Sequence, residues 1–500
     1  MVRRKPKLPI LRTLARRDFL RGSAAAGLLA AGGGLLGSCA GRDPIRKNAP
    51  KIAIVGAGIA GLHAAYRLKK AGYPSRVYEA DTRVGGRIFT MRDLLGAGLA
   101  TEMGAEFIDT GHEDMLQLSL ELGLNLIDLK EDSSKLVEEA YFFDGRHRSV
   151  KEVIEEFSPV AAKIKEDVEA VAEGVDFQNP GAGAELDRLS IAEYLDRKRV
   201  QGWLRKLLDA AFVTEFGLEA GEQSCLNLLT MISTDVSGGK FELFGESDER
   251  YKVEGGNLRI PEELARRLAG QIELDHRLTS IRGKGRGCIL SFDTEDGDRE
   301  VEADWVVLAL PFTLLRSVEM KIELPKVKQK AIAELGYGLS TTVMAGVSRR
   351  VWNDAGYRGS IFTDEGVQLG WDNSQGQPGP AGGFTYFLGG AAAERAGAGG
   401  TPEEHGRRLT AALDKPYPGS TAALNNKFGR WIWPKHPFSL GGYSCYKPGQ
   451  WTTICGAEIQ PVGRLLFAGE HCSLDYQGFM NGGAETGRRA AEAILAELKG

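Results

Sequence analysis

Lys51-Ile52-Ala53-Ile54-Val55-Gly56-Ala57-Gly58-Ile59-Ala60-Gly61 is the stretch that decides the fold. Lys51 to Val55 is a short apolar run rich in β-branched residues, the pattern of a strand buried on both faces of a parallel sheet. The glycine-rich turn follows at once, and Leu62-His63-Ala64-Ala65-Tyr66-Arg67-Leu68-Lys69-Lys70 then reads as a helix that Gly72 stops. A second strand is expected from Arg76 to Glu79, ending on an acid 18 residues after Gly61. Each part has a physical task. Gly56 permits the tight turn, Gly58 lets the backbone approach a pyrophosphate, and Gly61 lets the helix pack closely on the strand. The helix N-terminus offers free N–H groups and a positive dipole end to phosphates. Glu79 lies where a carboxylate can accept from both ribose hydroxyls. Strand, glycines, helix, strand and acid in that order predict a dinucleotide site, without separating FAD from NAD.

The residues that follow separate them. Glu79-Ala80-Asp81-Thr82-Arg83-Val84-Gly85-Gly86-Arg87 resembles the extended E-x-x-x-R-x-G-G-R signature of FAD-dependent amine oxidases. Near the C-terminus, a strand from Arg464 to Ala468 precedes Gly469-Glu470-His471, then Gly478-Phe479-Met480-Asn481-Gly482-Gly483, and then a helix to about Leu498. This resembles the closing motif of the same family. The resemblance runs from about Lys51 to the C-terminus and is to the flavin monoamine oxidase family, which includes monoamine, polyamine and L-amino-acid oxidases. Its end motifs are specific. The middle supports it through segments such as Glu215 to Leu229 (EFGLEAGEQSCLNLL) and Tyr251 to Asn257.

The resemblance implies an α/β fold class, a Rossmann-type FAD-binding domain interleaved with an α+β substrate domain. The FAD domain is expected over 50–110, 246–316 and 440–500, and the substrate domain over 111–245 and 317–439. Segments 151–173 and 190–211 read as helices from their apolar spacing. Cofactor contacts carried over are Gly56, Gly58, Ala60 and Gly61 of the first turn, and Glu79, Arg83, Gly85, Gly86 and Arg87 of the second motif. Gly104, Ala105, Leu278, Gly469, Glu470, Phe479 and Met480 complete the set. Arg83 and Arg87 would serve phosphate or orient their loop. Glu470 would meet the ribityl chain, and the helix N-terminus at Met480 would face the flavin pyrimidine, where reduction develops negative charge.

The segment Phe438 to Ser444 resembles the one that supplies a wall of the family's aromatic cage, with Tyr443 as that wall and Phe479 opposite it. Two facing electron-rich rings suit an amine approaching the flavin. Both could equally be core aromatics, but two separate motifs place them, which favours the cage. Gly104 to Asp109 resembles the segment beside the flavin's reactive face. Asp109 could pair with a distal ammonium, or could be a strand-end carboxylate capping backbone amides, and Glu106 is its neighbour. His112 reads as loop structure. Two departures from the family stand out. Its water-holding lysine has no clear counterpart, with Arg316 close to the expected place and Lys321 displaced. The cysteine that bears covalent flavin is replaced by Gly442, with Cys445 out of register, so non-covalent FAD is expected.

The expected reaction is oxidation of a primary or secondary amine to an imine, hydrolysed to an aldehyde and ammonia or a smaller amine, with oxygen reduced to hydrogen peroxide. One alternative is L-amino-acid oxidation, which needs an arginine clamp that the GAEFID segment lacks. A desaturase or porphyrinogen-type oxidase would want a larger, purely apolar cavity. A non-catalytic flavin-bound envelope lipoprotein is the reading from a different class.

Ahead of the fold, residues 1–39 carry eight basic side chains and one acid, a charge of +7. The whole chain is at −4, so the remainder carries −11, which disfavours nucleic acid as a partner. Arg16-Arg17-Asp18-Phe19-Leu20-Arg21-Gly22 resembles a twin-arginine export signal, and the uncharged stretch Gly22 to Ala40 follows it. That stretch is mostly Gly and Ala and inserts poorly into a bilayer. The expected location is therefore periplasmic, or membrane-attached facing the periplasm, after passage through the twin-arginine machinery. Leu36-Gly37-Ser38-Cys39 resembles a lipobox, so Cys39 is a candidate lipid anchor. Cleavage after Ala40 is the other reading. The six cysteines form no CxxC pair, so no metal site is expected. Cys455 could pair with Cys472 or Cys445, or all could be buried free thiols.

Overall fold

The apolar run after Lys51 becomes the central strand of a parallel sheet. A computed structural model describes residues 50–131 and 135–499; the export and lipobox motifs lie outside the described residues. In that sheet Ile52–Val55 lies between Trp305–Leu308 and Arg76–Tyr78. Leu465–Phe467 flanks the first neighbour and Ile272–Glu273 the second, and every pairing is parallel. Ile52, Ile54 and Val55 are buried on both faces, which is why the strand reads as continuous apolar sequence rather than alternation. The helices Ile59–Lys70, Glu113–Leu122, Arg259–Arg267 and Met480–Lys499 cover one face and share a core through Leu62, Leu118, Ile260 and Ile494.

The other face meets the sheet Gly297–Ala303, Gly287–Thr294, Arg277–Lys284 and Glu319–Lys321. A larger sheet of seven strands among the described residues runs Leu424–Ile432, Ser340–Val347, Gly382–Gly389, Gln368–Asp372, Tyr357–Thr363, Val137–Phe143 and Arg146–Arg148. Helices Val150–Val171, Ile191–Arg197, Gly202–Phe216 and Cys225–Leu229 build a further core beside it. The chain passes back and forth between the two assemblies, so residues distant in sequence meet at their junction.

Three expectations need correction. Segment 190–211 is not one helix. Ser190 and Glu193 form a capping box that starts Ile191–Arg197, and Arg199 then takes a left-handed φ of 58° while the Val200 amide returns to the Leu195 carbonyl. That closing turn ends the helix, and Gly202 begins the next. The expected boundaries near 111 and 317 also shift. Helix Glu113–Leu122 packs with the nucleotide-side helices through Met115, Leu118 and Leu122, and strand Glu319–Lys321 pairs with Arg277–Lys284. The described cysteines, Cys225, Cys288, Cys445, Cys455 and Cys472, are all buried free thiols.

Candidate active site

One cavity of about 520 Å³ runs between the parallel and the seven-stranded sheets. Its nucleotide end is built of backbone. Gly56 has φ of 103°, and a Cβ there would lie 2.4 Å from the Ala309 carbonyl oxygen. A Cβ on Gly61 would lie 1.9 Å from the Gly56 carbonyl oxygen, so the helix can pack this close to its own strand only with glycine. Gly58 differs: it lines the cavity, and a Cβ on it would meet nothing within 4 Å. It also begins helix Ile59–Lys70 with no side-chain cap, so the first-turn amides are left for a ligand. Ala60, Gly85, Gly86, Gly104, Ala105 and Leu278 line the same space.

Side chains brace this cradle. Glu79 accepts from the Ala57 amide at 2.5 Å and the Asp81 amide at 2.9 Å, joining the two turns while bordering the cavity. Burial raises its pKa, so further donors such as ribose hydroxyls fit its remaining lone pairs. Arg83 does not line the cavity. It donates to the Gly86 carbonyl at 2.9 Å, pairs with Asp81 at 3.3 Å and lies over the Phe89 ring, so it orients the loop rather than meeting phosphate. Arg87 does border the cavity, with donors on the Gly442 carbonyl at 2.7 Å and on Glu470 at 2.9 Å. Glu470 also accepts from the Ser444 hydroxyl and the Gly478 amide. Burial alone would raise its pKa, but Arg87 and the Ser444 hydroxyl outweigh that and hold it below the usual value. Glu470 thereby ties the Gly442–Ser444 loop to the turn before helix Met480–Lys499.

Orphaned polar atoms border the same space. Both ring nitrogens of buried His471, the Gln477 side-chain amide nitrogen and the Ser340 hydroxyl have no protein partner among the described residues. Burial pushes His471 down to about 4, so the ring is neutral near pH 7. Open amides, a cradle that a Cβ would fill and orphaned polar groups together fit a bound dinucleotide cofactor with a polar ring system.

Beyond the cradle, Tyr443 and Phe479 both line the cavity. The Tyr443 hydroxyl donates to the Thr214 carbonyl at 2.5 Å, which fixes the ring. The Phe479 ring centroid lies 5.2 Å from that of His112. Trp371, with Phe107 at 5.6 Å and Phe387 at 5.5 Å, forms an aromatic wall on the seven-stranded sheet.

Two expected site residues are elsewhere. The Arg316 guanidinium is spent on the carbonyls of Ile332 and Leu335, at 2.8 and 2.5 Å, and does not border the cavity. Lys321 sits on an edge strand and pairs with Glu319 at 2.9 Å, with half of its side chain exposed. Neither can hold a water in the site. Glu106 and Asp109 do border it, though both are engaged. Glu106 accepts from Lys252 at 2.6 Å and from the Trp371 indole at 2.8 Å. Asp109 accepts from the Glu249 amide at 2.8 Å and faces His112 at 3.3 Å.

Glu215 and Glu249 were not anticipated. Both face the cavity, and among the described residues no hydrogen bond or ion pair engages either carboxylate. Glu249 is an exposed residue that borders the cavity. Burial, and then Asp109, push Glu215 up to about 7. Burial, and then Asp109 and Glu215, raise Glu249 further. One signal for Glu215 was present in the sequence. It is an acid in the last turn of a helix ended by Gly217, where the dipole disfavours it. Glu249 owes its place to a left-handed φ of 44° that no neighbouring residue announces.

A family model described as flavin containing amine oxidoreductase matches residues 59–495. A protein of Mycobacterium tuberculosis (strain ATCC 25618 / H37Rv), provisionally named a flavin-containing monoamine oxidase (AofH), is 27% identical over 458 residues, covering 89% of this chain and 97% of its own. An L-amino acid dehydrogenase of Synechocystis sp. is 24% identical, covering 89% of this chain and 94% of its own. Among solved structures, cyclohexylamine oxidase from Brevibacterium oxydans IH-35A aligns with a TM-score of 0.80 at 24% identity, over 91% of this chain and 100% of its own. Putrescine oxidase bound to putrescine aligns with a TM-score of 0.74 at 22% identity, over 90% of this chain and 99% of its own.

Proposed function

The chain belongs to the flavin-containing amine oxidoreductases, and from that premise we propose that it oxidises a primary or secondary amine using non-covalent FAD and oxygen. The amine's α C–H bond is lost as a hydride equivalent while the nitrogen lone pair closes the C=N bond. Water then splits the imine into an aldehyde and ammonia or a smaller amine, and oxygen takes up two electrons and two protons as hydrogen peroxide. The flavin, when bound, supplies the two-electron redox chemistry.

The observation that carries this reading is a single cavity that leads from the glycine cradle, past Tyr443 and Phe479, to acids and aromatics with no free cation among the described residues lining it. Its arginines are Arg87, held by Gly442 and Glu470, and Arg277, paired with Asp293. A carboxylate substrate would find no clamp there, which favours an amine over an amino acid. The acids equally disfavour the purely apolar substrates of a desaturase. Tyr443 and Phe479 confine the approach, and the Thr214 carbonyl keeps the Tyr443 ring from turning away. Non-covalent attachment is supported by Cys445, which is buried against Asn227 and does not border the cavity. Burial also raises its thiol pKa, leaving a poor nucleophile.

Peroxide production from a panel of amines tests the reaction, and anaerobic stopped-flow flavin reduction tests the site. Tyr443→Ala is expected to slow reduction about a hundredfold at unchanged flavin content, since misplacing the reacting carbon by ~1 Å costs that much. Reduction as fast as wild type would remove Tyr443 from the site.

We further propose that Arg16 and Arg17 direct export of the folded, flavin-loaded protein to the periplasm. Replacing both by lysine is expected to retain yellow protein in the cytoplasm. Loss of membrane attachment in Cys39→Ala would assign a lipid anchor, whereas unchanged fractionation would assign a soluble enzyme.

A further inference from the structure

Tyr443 and Phe479 both confine the amine's approach, but they are held in different ways. The Tyr443 hydroxyl donates to the Thr214 carbonyl at 2.5 Å, so a polar bond fixes that ring. Phe479 has no polar side-chain atom to anchor it. It follows Gly478 at a left-handed φ of 86°, and its amide donates to the Tyr476 carbonyl at 3.2 Å. Its ring is partly buried and borders the cavity, so packing must keep it from turning. Among the described residues, the aromatic ring packed against it is that of His112, with centroids 5.2 Å apart and planes tilted by 60°.

His112 is buried and closely placed. Its Nδ1 accepts from the Asp109 amide at 3.0 Å, and that bond puts the imidazole proton on Nε2, which faces the Asp109 carboxylate at 3.3 Å. Burial lowers its pKa, so the ring is neutral near pH 7. Tyr476 meets the ring edge-on at 5.6 Å and 83°, and the Tyr476 hydroxyl donates to the Gly111 carbonyl at 3.1 Å, tying the two turns together. His112 is also the N-cap of helix Glu113–Leu122, yet its side chain makes no capping bond. Asparagine would cap that helix well and has an acceptor for the Asp109 amide. What asparagine lacks is the flat ring that meets Phe479.

We propose that His112, oriented by Asp109, is a positioning residue for Phe479 and holds that ring at the angle that sets the amine's approach. His112 does not border the cavity and acts through Phe479 alone. Asp109 thereby has a task that needs no contact with substrate: one oxygen accepts from the Glu249 amide and the other orients the imidazole. This assignment rests on the amine-oxidation reading, in which Phe479 confines the amine.

The test is a double-mutant cycle, read by anaerobic reduction of the flavin-loaded enzyme with the amine that reduces wild type fastest. Flavin content and the denaturation midpoint are measured first in every variant. His112→Asn keeps an acceptor for the Asp109 amide and a good N-cap, and removes the ring. It is expected to lower the limiting rate of reduction by about 10- to 100-fold at unchanged flavin content, since misplacement by up to ~1 Å costs that much. In the Phe479→Ala background the same change is expected to cost less than about twofold, because the ring it acts through is gone. His112→Phe keeps a flat ring and loses the acceptor, and is expected to reduce faster than His112→Asn. Flavin loss or an unchanged rate in His112→Asn, an equal loss in both backgrounds, or a His112→Phe no faster than His112→Asn overturns the positioning role and leaves amine oxidation standing. If Phe479→Ala reduces as fast as wild type, or no amine reduces the flavin, the reading beneath it falls and takes this assignment with it.

Discussion

At the nucleotide end of the cavity the carboxylates are already partnered: Glu79 bridges two backbone turns, and Glu470 gathers Arg87, Ser444 and Gly478. At the amine end Glu215 and Glu249 have no partner among the described residues, and burial leaves them with raised pKa values. The difference lies in what each end must do. A cofactor that stays bound needs a rigid, pre-satisfied frame, so that binding costs little ordering. A substrate that comes and goes can be selected by a charge that only it completes, at the expense of stability in its absence. One end is therefore built from glycines and backbone amides, and the other from side chains held in an unfavourable state.

The sharpest way to break this contrast is at Gly61. Gly61→Val drives its Cβ against a backbone oxygen at 1.9 Å that cannot yield. We expect a loss of about 3 kcal/mol or more, read as a lower denaturation midpoint together with loss of flavin. A variant that keeps both would show that the helix is not seated on its strand as described.

Gly58→Val separates frame from ligand. Its Cβ would meet no protein atom within 4 Å, and its φ of −73° suits any residue. We expect stability of the flavin-free protein to move by less than about 0.5 kcal/mol while flavin retention is lost. If flavin is retained at wild-type occupancy, the cradle is not at Gly58.

The effect at the acidic end has the opposite sign. Glu215 titrates at about 7 in the folded protein against an ordinary value of 4.5, so the folded state binds the extra proton between those values. Its penalty is absent below pH 4.5, grows through the interval and is complete above pH 7. Glu215→Gln is therefore expected to stabilise the protein by about 1–2 kcal/mol at pH 8, with the gain vanishing as pH falls towards 4.5. Denaturant titrations at the two pH values measure it. Equal stabilities at pH 8 would mean that Glu215 has a partner in solution.

The sequence by itself determined the nucleotide end. Gly56, Gly58, Gly61, Glu79, Gly85, Gly86 and Arg87 lie within 32 residues of one another, and local backbone geometry governs their work. A turn that needs a left-handed φ or a missing Cβ can be read from the residue that supplies it. Tyr443, Phe479 and Glu470 were legible for a related reason, since each belongs to a short motif whose neighbours constrain it. Arg316 and Lys321 were misjudged because a cation's partner cannot be read from its position along the chain: the carbonyls of Ile332 and Leu335 claim the first, and an edge strand exposes the second. Only the tertiary structure decided the amine end. Glu215 comes from the end of a helix, Glu249 from a left-handed position in a loop, Trp371 from a sheet strand and Asp109 from a loop, and no local pattern links them. Their shared field arises because the chain crosses repeatedly between two sheets and leaves these side chains along one cavity, where desolvation makes each charge felt by the others.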